Sequence, residues 1–206
     1  ATTEIYTGED FPTRRSSDLA VSGEAVSIAI LAGGRGARMG ADKGLVKLGG
    51  LTLVERIYQK IRMYSDDIMI SANRNFHEYE SILPTARLIK DEHEGFNGPL
   101  AGMYSCLRAS RYDHLITIPC DFMNIPDNLI ESMALKLHQK EMSYARINGV
   151  NFFPLCNLHK QYCQALEGAL IEGKYSVRKW LESNGAGVDD FTIDEQLLMN
   201  MNTPIH

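Results

Sequence analysis

The chain has 206 residues, of which 44% are hydrophobic, and a formal net charge of −5. That length and apolar content suit one domain with a real core, and the acidic balance argues against a general nucleic-acid or membrane-surface binder. No run of about 18 apolar residues marks a transmembrane helix, and the four cysteines (Cys106, Cys120, Cys156, Cys163) do not make a disulfide framework at this length, so reduced thiols and cytoplasmic residence are expected.

Residues 1–25 are dominated by polar and small side chains and sustain no helical or strand period. They lack the basic region followed by an apolar one that marks a secretory signal. They are expected to be a disordered leader or tail with no role in the chemistry, which leaves 26–206 as a single domain. "AVSIAILA" is short, apolar and stopped by glycines, so it reads as a buried strand. "TLVERIYQKIRMY" places Leu53, Val54, Ile57 and Ile61 at helical spacing. "DDIMISAN" and "ARLIKD" read as the second and third strands. "GPLAGMYSCLRAS" reads as a helix with Pro99 in its first turn, where the missing N–H costs least. "HLITIPCD" is a fourth strand ending on Asp121, and "PDNLIESMALKLHQ" a helix again opened by proline. Strand-like "MSYARI" and "VNFFPLCN" follow, then helices over roughly 160–172 and 176–183, a strand near "VDDFTI", and "NMNTP". The alternation predicts an α/β fold: a three-layer, Rossmann-like, mainly parallel sheet with helices on both faces. Ligands of such sheets bind beyond the carboxyl ends of the strands. The glycine loop, Asn73, Asp91 and Asp121 all fall there.

The stretch "LAGGRGARMGADKG", residues 31–44, combines glycine density with Arg35, Arg38 and Lys43. It is not a P-loop, because no glycine pair has the spacing Gly-x4-Gly-Lys-Ser/Thr before Lys43. It is not a dinucleotide fingerprint either: Gly34 and Gly36 fit, but Met39 takes the third glycine position and Gly40 comes one residue late. A long glycine-rich loop can wrap a triphosphate with backbone N–H groups. Arg38 and Lys43 can then neutralise charge that builds up at an attacked phosphorus. A solvated surface loop is the plain alternative. Asp121 at a strand end suits a hard cation, or else caps the next helix. Asn73 could cap a turn, and Asp91 in "DEHEG" could sit in a solvated loop. Cys156, His159 and Cys163 miss zinc spacing and are expected to be core cysteines beside a surface histidine.

Taken together, "LAGG", Arg38-Met-Gly, Asp42-Lys-Gly, "ISANRN", Asp91 before "GPLAG", "PCD" at 119–121 and "NMNTP" resemble the molybdenum cofactor guanylyltransferases, within the glycosyltransferase-A-like nucleotidyltransferases. The resemblance spans about residues 26–204. It implies transfer of GMP from GTP to the phosphate of molybdopterin, with diphosphate leaving and Mg²⁺ required. It implies that Leu31, Ala32, Gly33 and Gly34 line the nucleotide and that Lys43 binds its phosphates. Asn73 and Asp91 match nucleotide-binding positions, and Asp121 matches the magnesium ligand. Transient contact with cofactor chaperones or molybdoenzymes is a further expectation from the family's chemistry. Cytidylyl transfer to the same cofactor, or nucleotidyl transfer to a sugar phosphate, stands beside this reading. A non-catalytic nucleotide-binding regulatory module stands outside it, and the presence of both Lys43 and Asp121 argues against that.

Overall fold

The computed structural model describes residues 25–33, 42–92, 98–122, 125–137 and 141–193. The leader at 1–24, Gly34, Arg38 and "NMNTP" lie outside the described residues.

Strand β1 (Val26–Leu31) is buried along its whole length. After it come a short 3₁₀ turn (Lys43–Leu45) and a small antiparallel hairpin of β2 (Lys47–Leu48) and β3 (Leu51–Thr52). The sequence reads this region as loop, and Gly49 and Gly50 close the hairpin in the left-handed region at φ 59° and 89°. Helix α1 (Leu53–Ile61) starts at Thr52 in a reciprocal capping box with Glu55 and buries the expected Leu53, Val54, Ile57 and Ile61. Then follow β4 (Asp67–Ser71), α2 (Phe76–Ile82), β5 (Arg87–Ile89), α3 (Pro99–Ala109) and β6 (His114–Pro119). The remainder is α4 (Asp127–Leu135), β7 (Met142–Ile147), β8 (Val150–His159), α5 (Cys163–Ile171), α6 (Val177–Ser183) and β9 (Gly187–Phe191).

The main sheet has seven strands in the order β5-β4-β1-β6-β8-β7-β9. All run in one direction except β8, which is antiparallel to both its neighbours. Alternate residues of β1 feed the two faces. Val26, Ile28 and Ile30 join Val54, Ile57, Tyr79, Leu129 and Met133 on the α1–α2–α4 side. Ala29 and Leu31 join Leu100, Met103, Leu166 and Trp180 on the α3–α5–α6 side. The expected three-layer α/β/α arrangement is therefore present. No helix of the described residues is long and apolar enough to cross a membrane.

At the amino ends of the strands, Asp67 is wholly buried. It accepts hydrogen bonds from Ser27 Oγ (2.6 Å), the Arg111 N–H (2.8 Å) and Arg87 Nη1 (2.6 Å). Burial would raise its pKa; these donors and the Arg87 charge outweigh burial and hold the carboxyl below the usual range. This clasp fixes one end of the sheet and leaves the carboxyl end for the site.

Candidate active site

From β1 the chain moves outward to β4 and β5, then returns to β6 on the other side of β1. In open α/β sheets such a reversal marks the ligand crevice, here at the carboxyl ends of β1 and β6. Backbone bonds carry the ladder into it: Ala32 N–H donates to Ser71 O (2.9 Å), Cys120 N–H to Leu31 O (3.1 Å) and Ala72 N–H to Ile89 O (3.0 Å). Four strand ends are thus held level. They carry Ala32-Gly33, Asn73, Asp91 and Asp121.

Two pairs stand there. Asn73 and Asp91 grip each other reciprocally: Asn73 Nδ2 donates to Asp91 Oδ2 (2.7 Å), and the Asp91 N–H donates to Asn73 Oδ1 (2.9 Å). The other carboxylate oxygen, Asp91 Oδ1, is buried without a hydrogen-bond donor among the described residues. Burial raises the Asp91 pKa, and the Asn73 bond only partly offsets it. A buried acceptor left in this way is costly unless something donates to it. Asn73 is not a helix cap, since Asn75 takes that place in α2, and Asp91 is half-buried rather than solvated.

The second pair is Lys43 and Asp121, with Nζ 2.7 Å from Oδ2 and both side chains more than half exposed, at 58% and 53%. Burial would lower the Lys43 pKa; the hydrogen bond and charge of Asp121 reverse that and raise it. Asp121 is not the cap of α4, where Pro126 stands at the N-cap. Lys43 is seated by its neighbours. Asp42 accepts from the Gly44 N–H (3.3 Å) and from Tyr79 Oη (2.7 Å). A Cβ on Gly44 would lie 2.5 Å from Tyr79 Oη and 2.9 Å from Val54 Cγ1, so only glycine fits there. A Cβ on Gly102 of α3 would lie 2.3 Å from Ser71 Oγ, so that hydroxyl would have to turn away.

The structure thus brings Leu31, Ala32, Gly33, Lys43, Asn73, Asp91 and Asp121 to one edge of the sheet. Gly34 and Arg38 lie outside the described residues. The sequence gives no role to Asp42, Tyr79 or Ser71. The "DK" pair was the available signal for Asp42, but its partner Tyr79 lies in a helix that the sequence did not announce. Cys156 is a core residue as expected, but Cys163 is half-buried; burial pushes the Cys120 and Cys156 thiols up to about 12, and among the described residues no three metal-ligating side chains cluster.

Among the described residues, Asp121 is the one here that could hold a divalent ion, without a protein cage around it. Mg²⁺ keeps several waters and is commonly held by one or two carboxylates plus substrate phosphates. The exposed carboxylate of Asp121 is a hard oxygen donor facing the crevice.

Residues 28–188 match the family described as MobA-like NTP transferase domain. The chain is 35% identical over 181 residues to the molybdenum cofactor guanylyltransferase of Pseudomonas syringae pv. tomato, covering 86% of this chain and 89% of that protein. It is 35% identical over 182 residues to the molybdenum cofactor guanylyltransferase of Shewanella putrefaciens, covering 86% and 92%. Its fold is similar to the crystal structure of molybdopterin-guanine dinucleotide biosynthesis protein A from Archaeoglobus fulgidus, with a TM-score of 0.65, 20% identity, and 84% and 86% of the two chains covered. The chain belongs to the MobA-like nucleotidyltransferases, the family of the molybdenum cofactor guanylyltransferases.

Proposed function

We propose that this crevice transfers GMP from GTP to the phosphate of molybdopterin, giving the guanine dinucleotide form of the cofactor and diphosphate. The observation that carries the reading is the alignment of two polar pairs, Asn73–Asp91 and Lys43–Asp121, along the carboxyl ends of adjacent strands at the reversal of strand order. One pair suits the nucleoside and the other its phosphates.

In this reading an oxygen of the acceptor phosphate attacks the α-phosphorus of GTP. The bond from that phosphorus to the bridging oxygen breaks, and diphosphate leaves with the electron pair. Two anions must meet, so positioning and charge neutralisation supply the catalysis. Lys43 places an ammonium on the phosphates, and Arg38 adds a second cation from the glycine loop. Leu31, Ala32, Gly33 and Gly34 line the nucleotide. Asp91 accepts from an N–H or O–H of the nucleoside, with Asn73 holding the carboxylate in place. Asp121 would hold Mg²⁺, which when bound would supply further charge neutralisation. With substrate bound, Lys43 would turn to the phosphates and Asp121 would be left to hold the metal.

Residues 26–206 form the single catalytic domain in this account. The reaction is placed in the cytoplasm, consistent with four free cysteines, and product is passed on by transient contact with a cofactor chaperone or acceptor enzyme. Thermal shifts with GTP, CTP, UTP and ATP in the presence of Mg²⁺, followed by diphosphate release with molybdopterin, test the reading. Stabilisation by CTP alone would favour the cytidylyl alternative, and binding without diphosphate release would favour a regulatory module.

A further inference from the structure

The proposed chemistry uses Lys43 but leaves its neighbour Asp42 without a task. Asp42 is 7% exposed, an unusual burial for a carboxylate. Its Oδ1 accepts from Tyr79 Oη at 2.7 Å and from the Gly44 N–H at 3.3 Å. Its Oδ2 accepts from Asn75 Nδ2 at 3.2 Å and lies 3.5 Å from Arg74 Nε. Burial, then the bond to Asp42 and its charge, push the Tyr79 hydroxyl far above the ordinary phenol range, so it stays a donor. Arg74 and Asn75 directly follow Asn73, and Asn75 is held in the left-handed region at φ 55°. One buried carboxylate therefore clips the segment carrying Lys43 to the segment carrying Asn73.

We propose that Asp42 and Tyr79 are positioning residues for nucleotidyl transfer: they fix Lys43 in register with the Asn73–Asp91 pair, so that one nucleotide meets both. This rests on Lys43 acting at the phosphates. The Tyr79 ring is wholly buried, so phenylalanine preserves its packing and removes only the hydroxyl.

The test is a double-mutant cycle on the full chain, with Tyr79→Phe made in the wild-type and Lys43→Ala backgrounds. Diphosphate release gives kcat and KM for GTP, and thermal unfolding monitors the fold. Acting through Lys43, Tyr79→Phe should lower kcat/KM at least about fivefold in the wild type and less than about twofold once Lys43 is gone. A merely structural hydroxyl would give the same factor in both backgrounds. Asp42→Asn in the same cycle keeps an oxygen toward Tyr79 and Gly44 but loses the charge facing Arg74, and the same dependence on Lys43 is expected. Equal factors in the two backgrounds, or wild-type kcat/KM in both single variants, would overturn the positioning role while leaving Lys43 in place. Full activity of Lys43→Ala would overturn the Lys43 reading and this one together.

Discussion

Replacing Lys43 with alanine removes one positive charge from the crevice and little else. The Lys43–Asp121 contact is 2.7 Å long, but both partners are more than half exposed. Exposed pairs contribute about 0–1 kcal/mol to stability, so the melting temperature should barely move. The effect on transfer is larger. A unit charge at about 4 Å from a phosphate is worth about 1 kcal/mol in water and about 4 kcal/mol at the effective dielectric of a protein surface. The lower part of that range already corresponds to about tenfold in rate, or about 1.4 kcal/mol of transition-state stabilisation. Lys43→Ala should therefore lose at least about tenfold in turnover, measured by diphosphate release with both substrates saturating. Because Asp121 holds the Lys43 pKa above the ordinary lysine value, the ammonium persists through neutral pH and is lost only as pH rises past that range. Near-normal turnover of a folded Lys43→Ala variant would refute the reasoning.

Other perturbations separate function from folding. Asp121→Ala should weaken the Mg²⁺ dependence and sharply reduce transfer while costing less than about 1 kcal/mol in unfolding; early melting with full Mg²⁺-dependent transfer per folded molecule would exclude the metal-ligand role. Asp91→Asn should raise the melting temperature at neutral pH, since burial makes the ionised carboxylate costly, and this gain should shrink as pH falls through the raised pKa. The same variant should bind GTP at least about tenfold more weakly by calorimetry, and unchanged affinity would remove Asp91 from the nucleotide site. Asp67→Ala should cost about 3 kcal/mol in urea unfolding, because it strips a buried carboxylate from Arg87, Ser27 and the Arg111 N–H. With its pKa lowered in the folded state, the Asp67 contribution is present above the ordinary aspartate value of about 3.9 and lost as pH falls below it, so the variant and wild type should converge in acid. A chain starting at residue 25 should keep both activity and melting temperature; a large loss of either would show that the preceding residues pack on the domain.

The parts of the fold with strong periodicity were legible. Helix α1 buries Leu53, Val54, Ile57 and Ile61 as its spacing predicts, and β1, β4 and β6 read as apolar runs because both of their faces are covered. Helix α2 was missed because "FHEYESI" offers only Tyr79 as a fully buried residue. The hairpin of β2 and β3 was missed because its strands are two residues each. Periodicity also could not give the insertion of β8 between β6 and β7, which is decided by pairing rather than by pattern. In the site, residue chemistry was readable and contact was not. Nothing local couples Asn73 to Asp91, 18 residues on, or Lys43 to Asp121, 78 residues on. Those pairs exist because parallel strands bring their carboxyl ends together, and Asp42 gained its meaning only once Tyr79 was placed beside it.

Diphosphate release from each of the four nucleoside triphosphates, measured with Mg²⁺ and molybdopterin as acceptor, tests the central claim most directly. Release from GTP that requires molybdopterin, together with much slower release from CTP, UTP and ATP, is the predicted result. Release from CTP in preference to GTP, or GTP binding with no acceptor-dependent release, would contradict guanylyl transfer at this crevice.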